Sequence, residues 1–223
     1  MAALSEDFDY FLERFGRPVG GGPLYEAVRT AYRGKVPDSL IDFWEEVGIG
    51  LVLDGYFQLC DPRRYAPVVE RLFGADPQLD AARLHLLGFS AMGGLLLWHE
   101  IHRAVRVRLP NGEAVAGDLL RGDGGGSAEI SLGTALTMID AASYDQNDTS
   151  GKHVFKRARK ALGALKLGQV YGFKPALALG GEPKLENLAI YGALEHFSIL
   201  ADLAPLRLMD YSTPQPRFVR EIG

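Results

Sequence analysis

The sequence predicts an α+β fold, with N-terminal helices, a central mainly antiparallel sheet, and a mostly helical C-terminal part. Three observations predict it. Apolar residues recur at helical spacing through the first third of the chain. Strand-like apolar runs then crowd residues 84–116 around an Asn111-Gly112 turn. Helical spacing returns after the glycine-rich segment 122–126.

Each element has its own signal. Ser5 is placed to cap a first helix whose Phe8, Phe11, Leu12 and Phe15 share a face, and Gly16 and Pro18 end it. A second helix follows Gly20-Gly21-Gly22-Pro23 and ends near Tyr32. Pro37 suits the first turn of a third, in which Leu40, Ile41, Trp44 and Val47 point inward and Gly48 is the stop. Its other face carries Asp38, Asp42 and Glu45, with Glu46 beside them. Two short strands flank Asp54-Gly55, and Asp61-Pro62 opens a helix with Tyr65, Val68, Val69 and Leu72 inward. Strands are expected over 84–89, 95–99, 104–109 and 113–116. Further on, helices are expected over 132–142, over 153–165 with Phe155, Ala158, Leu162 and Leu165 inward, and over the apolar stretch 185–203. The tail after Ala204, with Pro205, Pro214 and Pro216, is expected to be extended.

The chain has 223 residues, 47% of them hydrophobic, enough for one large domain or two small ones. Segment 122–126 is the expected linker, which gives units 1–121 and 128–223. No apolar run approaches the roughly 20 residues that span a bilayer, and the first residues lack a signal-peptide pattern. The single cysteine, Cys60, excludes an intramolecular disulfide and a cysteine-rich metal site. A cytoplasmic protein without membrane contact is the expectation. Charge is uneven: residues 1–80 carry −6, 81–150 carry −3 and 151–223 carry +5. An acidic front and a basic back point to two surfaces with different partners, or to two halves that attract.

No catalytic constellation emerges. His99 and His102 lack the i, i+4 helical spacing of a zinc protease, and as strand-end residues they are expected to face opposite ways. His196 falls on the apolar side of its helix and reads as a hydrogen-bonded core residue, while His85 and His153 have no evident partner. Cys60 lies in an apolar run and reads as inert. Gly20 to Gly22 lacks the Lys-Ser/Thr of a phosphate loop. No cofactor and no metal are expected. The basic segment 152–166 holds Lys152, Lys156, Arg157, Arg159, Lys160 and Lys166, without the exposed aromatics of a nucleic-acid surface. It reads as a solvated face or one that pairs with the acidic front. Asp42, Glu45 and Glu46, extended by Asp54, Tyr56 and Asp61, form a candidate docking patch for a basic partner.

The string YGFKPALALGG at 171–181 holds no acid, histidine or nucleophile, and it reads as an identity mark. With segment 130–155 and the apolar stretch after it, it resembles the C-terminal domain of type VI secretion immunity proteins. Residues 15–19 (FGRPV), 32–37 (YRGKVP), 43–48 (FWEEVG), 55–59 (GYFQL) and Asp61-Pro62 resemble the GAD-like domain. The chain is thus similar, over nearly its full length, to immunity proteins that protect a bacterium from its own DNase effector. The resemblance implies a non-enzymatic binder that holds a cognate toxin's nuclease domain inactive by occupying or distorting its active site. Candidate toxin contacts are Asp42, Glu45, Glu46, Asp54 and Tyr56, with a second group at Tyr144, Asp145 and Asp148. The alternatives are a nucleic-acid-binding regulator that uses 152–166, and a small hydrolase built on His99 or His102. YGFKPALALGG is expected to turn the chain, with Pro175 ending regular structure and Gly180-Gly181 reversing direction.

Overall fold

In the computed structural model, which describes residues 4–122 and 126–222, three helices come first: α1 (Glu6–Phe15), α2 (Glu26–Tyr32) and α3 (Asp38–Glu46). Ser5 precedes α1, but its side chain makes no cap; its carbonyl accepts from Phe8 and Asp9 N–H instead. Most of the expected stripes are buried: Phe8, Phe11 and Phe15 on α1, where Leu12 is only partly covered, and Leu40, Ile41 and Trp44 on α3, joined by Phe43. The Phe8 and Phe43 rings stack with centroids 4.4 Å apart and lock α1 to α3.

Strands β1 (Gly50–Val52) and β2 (Phe57–Leu59) flank a 3-10 turn at Leu53–Gly55. Helix α4 (Pro62–Phe73) starts where the Asp61 carboxylate accepts from Arg63 N–H. Strands β3 (Leu84–Ser90), β4 (Gly94–His99), β5 (Arg103–Arg108) and β6 (Glu113–Val115) follow, then the short α5 (Gly117–Arg121). Gly112 takes a left-handed φ of 64° and closes the β5–β6 loop, as Asn111-Gly112 suggested. Of the expected linker, 123–125 lie outside the described residues.

The second half departs from the sequence reading in three places. The helix expected at 132–142 is two, α6 (Ala128–Thr137) and α7 (Ala141–Tyr144). Asp140 breaks it: its carboxylate accepts from Ser143 N–H at 2.8 Å and starts a new turn. Helix α8 (Phe155–Leu162) is shorter than expected, because Gly163 turns away with φ 91°. Phe155 and Ala158 point inward and Leu165 is buried beyond the helix, but Leu162 is exposed. The stretch 185–203 is not one helix: β8 (Leu188–Gly192) precedes α9 (Ala193–Leu203) and pairs with β7 (Gln169–Phe173) in a two-stranded sheet. The extended tail forms β9 (Leu206–Asp210) and β10 (Arg217–Ile222).

The main sheet runs β1-β2-β3-β4-β5-β6-β9-β10, antiparallel except where β6 meets β9. It separates two cores. Along β4, Leu95 and Leu97 enter one and Leu96 and Trp98 the other, as strand alternation requires. One core holds α1, α3, Phe57 and Trp98, with Leu132, Tyr144, Phe155 and Tyr171 from the second half. The other holds Tyr65, Val68 and Phe73 of α4, with Val170, Phe197, Leu206 and Ile222. The α+β class is the one the sequence predicts. Among the described residues, no helix is long and apolar enough to cross a membrane.

Candidate functional site

A cleft of about 1060 Å³ opens between the Leu53–Gly55 turn, the end of α1, the α6–α7 junction and α8. Its floor is apolar: Phe15, Leu53, Ile139 and Phe155. Its rim is charged, with Arg14, Lys156, Arg157, Arg159 and Lys160 against Asp54 and Asp140, while the Asp145 carboxylate lies buried below. The breaks at Asp140 and Gly163 build this site. The first turns Ile139 and Asp140 toward α8, and the second leaves Ala164 on the cleft wall.

Two groups that looked separate in sequence meet here. Asp54, Tyr56 and Asp145 all line the cleft. Asp54 sits at φ 58° next to Leu53 at φ 51°, so two consecutive non-glycine residues take the left-handed conformation. This lifts the Asp54 side chain outward, 82% exposed, with Oδ1 3.8 Å from Arg159 Nη2. Tyr56 is buried: its hydroxyl donates to the Asp140 carbonyl at 2.8 Å, and its ring meets Phe155 edge-on. Burial, with help from Asp145 and Asp140, pushes its phenol pKa up. Asp145 accepts from the backbone N–H of Gln146 at 2.7 Å and of Phe155 at 3.2 Å, which anchors the start of α8. Burial raises its pKa against those hydrogen bonds.

The other candidates lie elsewhere. Asp148 folds an Asx turn, accepting from Ser150 and Lys152 N–H and pairing with Arg157; the Arg157 hydrogen bond first, then the backbone donors, hold its pKa low. Tyr144 is 3% exposed and is packed edge-on against Phe57, beneath the surface. Burial pushes its phenol pKa up. On α3, Glu45 pairs with Arg29 at 3.0 Å, whereas Asp42 and Glu46 have no ion pair among the described residues.

Sequence reasoning missed Arg14, Ile139, Lys156 and Lys160 as cleft residues. The available signal was the i, i+4 spacing of Lys156 and Lys160, which puts both on one helix face. The basic helix does meet the acidic front, through Arg159 and Asp54.

The histidines need correcting. His99 and His102 do not face apart. A tight turn at 100–102 folds the chain back, and the rings stack 4.8 Å apart. His99 Nδ1 accepts from the N–H of Ile101 at 3.1 Å and of His102 at 2.9 Å, so its lone pair is committed to the turn. His85 has a partner, Glu100 Oε1 at 2.9 Å, and His153 Nδ1 lies 3.9 Å from Asp145. His196 is buried against the Tyr191 ring, stacked at 4.8 Å, rather than held by a hydrogen bond among the described residues. Cys60 is buried, its Sγ donates to the Leu86 carbonyl, and burial pushes the thiol pKa up.

Comparison with known proteins separates the two walls of the cleft. Residues 6–111 match the GAD-like domain, and residues 136–204 match the C-terminal domain of the type VI secretion immunity protein Tdi1. Arg14, Leu53, Asp54 and Tyr56 come from the first region, and Ile139, Asp145 and α8 from the second. No curated protein matches the chain. The crystal structure of Atu4351 from Agrobacterium tumefaciens is similar, at 36% identity and a TM-score of 0.92, over 98% of this chain and 97% of that one. With both regions matched and this likeness extending over nearly the whole length, the chain belongs to the type VI secretion immunity proteins that join a GAD-like domain to a Tdi1 C-terminal domain.

Proposed function

We propose that the chain neutralises a secreted DNase effector in the cytoplasm of the cell that makes it, by occupying or distorting the effector's active site, without turnover. In this reading, 1–121 and 128–223 are the GAD-like and immunity domains, and the partner is the effector's nuclease domain rather than nucleic acid or membrane. The observation that carries the reading is the open cleft bounded by both matched regions, where Asp54, Tyr56 and Asp145 converge. A second surface supports it. Asp42 and Glu46 on α3 are charges without an ion pair among the described residues, suited to a domain whose groove is basic because it grips phosphates. Tight binding would rest on a few buried anchors rather than on total charge.

The test is co-expression with the effector encoded beside this chain. A 1:1 complex and rescued growth are expected; growth arrest despite good expression would sink the reading. Within the complex, reversing Asp42, Glu45 and Glu46 to Lys should slow association by roughly tenfold at low salt and much less at high salt.

A further inference from the structure

We propose that the cleft between the Leu53–Gly55 turn and α8 receives a segment of the effector that carries an apolar anchor flanked by carboxylates. This deepens the functional reading above and rests on it.

The charge state of the cleft is the first argument. Its carboxylates are already engaged within the chain: Asp145 with the N–H of Gln146 and Phe155, Asp140 with Ser143 N–H, and Asp54 toward Arg159. Of its cations, Arg157 and Arg159 are paired, with Asp148 and Asp54, but the others are not matched in the same way. Lys156 and Lys160 have no ion pair or hydrogen bond among the described residues, and Arg14 donates only to the Thr137 carbonyl, at 2.9 Å. The lysines are one turn apart on an exposed face of α8, and they place two positive charges without an ion pair among the described residues at the opening.

The floor is the second argument. A bare phosphate site would be lined with donors, and a nucleic-acid platform would offer exposed rings for stacking. Here Tyr56 and Phe155 are buried edge-on against each other, and the rest of the floor is aliphatic or aromatic hydrocarbon. Apolar depth under a cationic rim fits an amphipathic protein segment better than either. The strained pair Leu53 and Asp54 stands on the edge of this opening, where a binding site would hold such a conformation. The chain thereby presents α3 to a basic surface and the cleft to an acidic one. An effector must satisfy both signs, which discriminates against a partner that is merely basic.

The experiment measures binding of the full chain to the catalytic domain of the effector encoded beside it. Lys156→Glu/Lys160→Glu reverses the rim, and Ala164→Trp fills the cleft without changing charge. We expect roughly tenfold slower association at low salt for the first and roughly tenfold faster dissociation for the second, with unchanged melting temperatures. A photo-crosslinking residue at Ala164 should capture an effector segment rich in Asp, Glu and apolar residues. Wild-type rates in both variants, with Asp42→Lys/Glu46→Lys impaired, would overturn the cleft proposal and leave the functional reading standing. Capture of a basic segment would overturn it too. So would a duplex oligonucleotide that binds the free chain through Lys156 and Lys160, or a dimer of the free chain that Ala164→Trp dissolves. Failure of the wild-type chain to bind would overturn the functional reading itself, and this inference with it.

Discussion

His99 builds the β4–β5 turn with a lone pair. Both N–H donors at Ile101 and His102 point at Nδ1, so the ring must stay neutral with its proton on Nε2. Burial, the neighbouring His102 and Arg83 push its pKa down to about 4 from 6.5. The sign follows directly. Between those values the unfolded chain binds a proton that the native chain refuses, so the stability contributed by His99 falls as pH drops from 6.5 to 4 and its own loss levels off below. His85, His102 and His196 are also depressed, with burial as the first cause, and steepen the same window. Asp76 and Asp210, whose pKa values are lowered, lose their contribution only at lower pH. In His99→Asn, an amide oxygen can replace Nδ1 as acceptor without titrating. Urea denaturation at pH 7, 5.5 and 4.5 should therefore show a shallower pH slope for this variant, by about one proton; an unchanged slope would show that His99 is not the group held neutral. The sequence did not disclose this turn. Glu100-Ile101-His102-Arg103 contains no Gly, Pro or Asn, and the reversal depends on an imidazole acceptor and on Arg103 at φ 60°.

The identity mark at 171–181 divides into a strand and a turn. Tyr171 to Phe173 complete β7, and the backbone then reverses through Gly180 at φ 80° and Gly181. The two glycines are not equivalent. A Cβ on Gly180 would meet nothing within 4 Å, so Ala there carries only the left-handed penalty, about 1–2 kcal/mol. A Cβ on Gly181 would lie 2.1 Å from the Pro175 carbonyl oxygen, and the turn must open. Gly181→Ala should therefore lower stability more than Gly180→Ala, by about 2–4 kcal/mol in total. Thermal melts would check the order, and effector affinity well below the melting temperature should change little for either. Equal melts would show that the turn is free to open. The turning role of this string was legible, because glycine and proline act locally. The strand β8 was not. Leu188–Gly192 is an apolar run that suits a buried strand or a buried helix equally, and what decides is pairing with β7, some twenty residues away in the chain. The α6–α7 break was hidden in the same way: it depends on whether the Asp140 side chain bonds its own backbone.

The two halves are joined at every level. Strand β9 lies parallel to β6, with Glu113 opposite Arg207, and so carries the first half's sheet into the second half. Arg71 reaches Asp202 at 2.9 Å, and Arg220 clamps the buried Asp76 carboxylate. Each core mixes residues from both sides of 122–126, and the cleft exists only where both contribute. Sequence patterning found most of the local elements on either side and the extended tail. It could not find that the tail returns to the sheet, because nothing local in 206–210 names β6 as its neighbour. The same non-locality hid the cleft: Asp54 and Asp145 are about ninety residues apart, and the sequence assigned them to two separate candidate surfaces. A fragment of residues 1–121 would leave β6 as a bare edge and uncover Tyr65 and Phe89, which pack on Phe197, and Phe57, which packs on Tyr144. The full chain should therefore unfold in a single cooperative transition, with calorimetric and van't Hoff enthalpies in agreement. The fragment alone should show no such transition and should bind a hydrophobic dye. Two resolved transitions in the intact chain, or a cooperatively melting fragment, would mean that each half stands without the other; the cleft would then be a contact between independent domains, free to open and close around its partner.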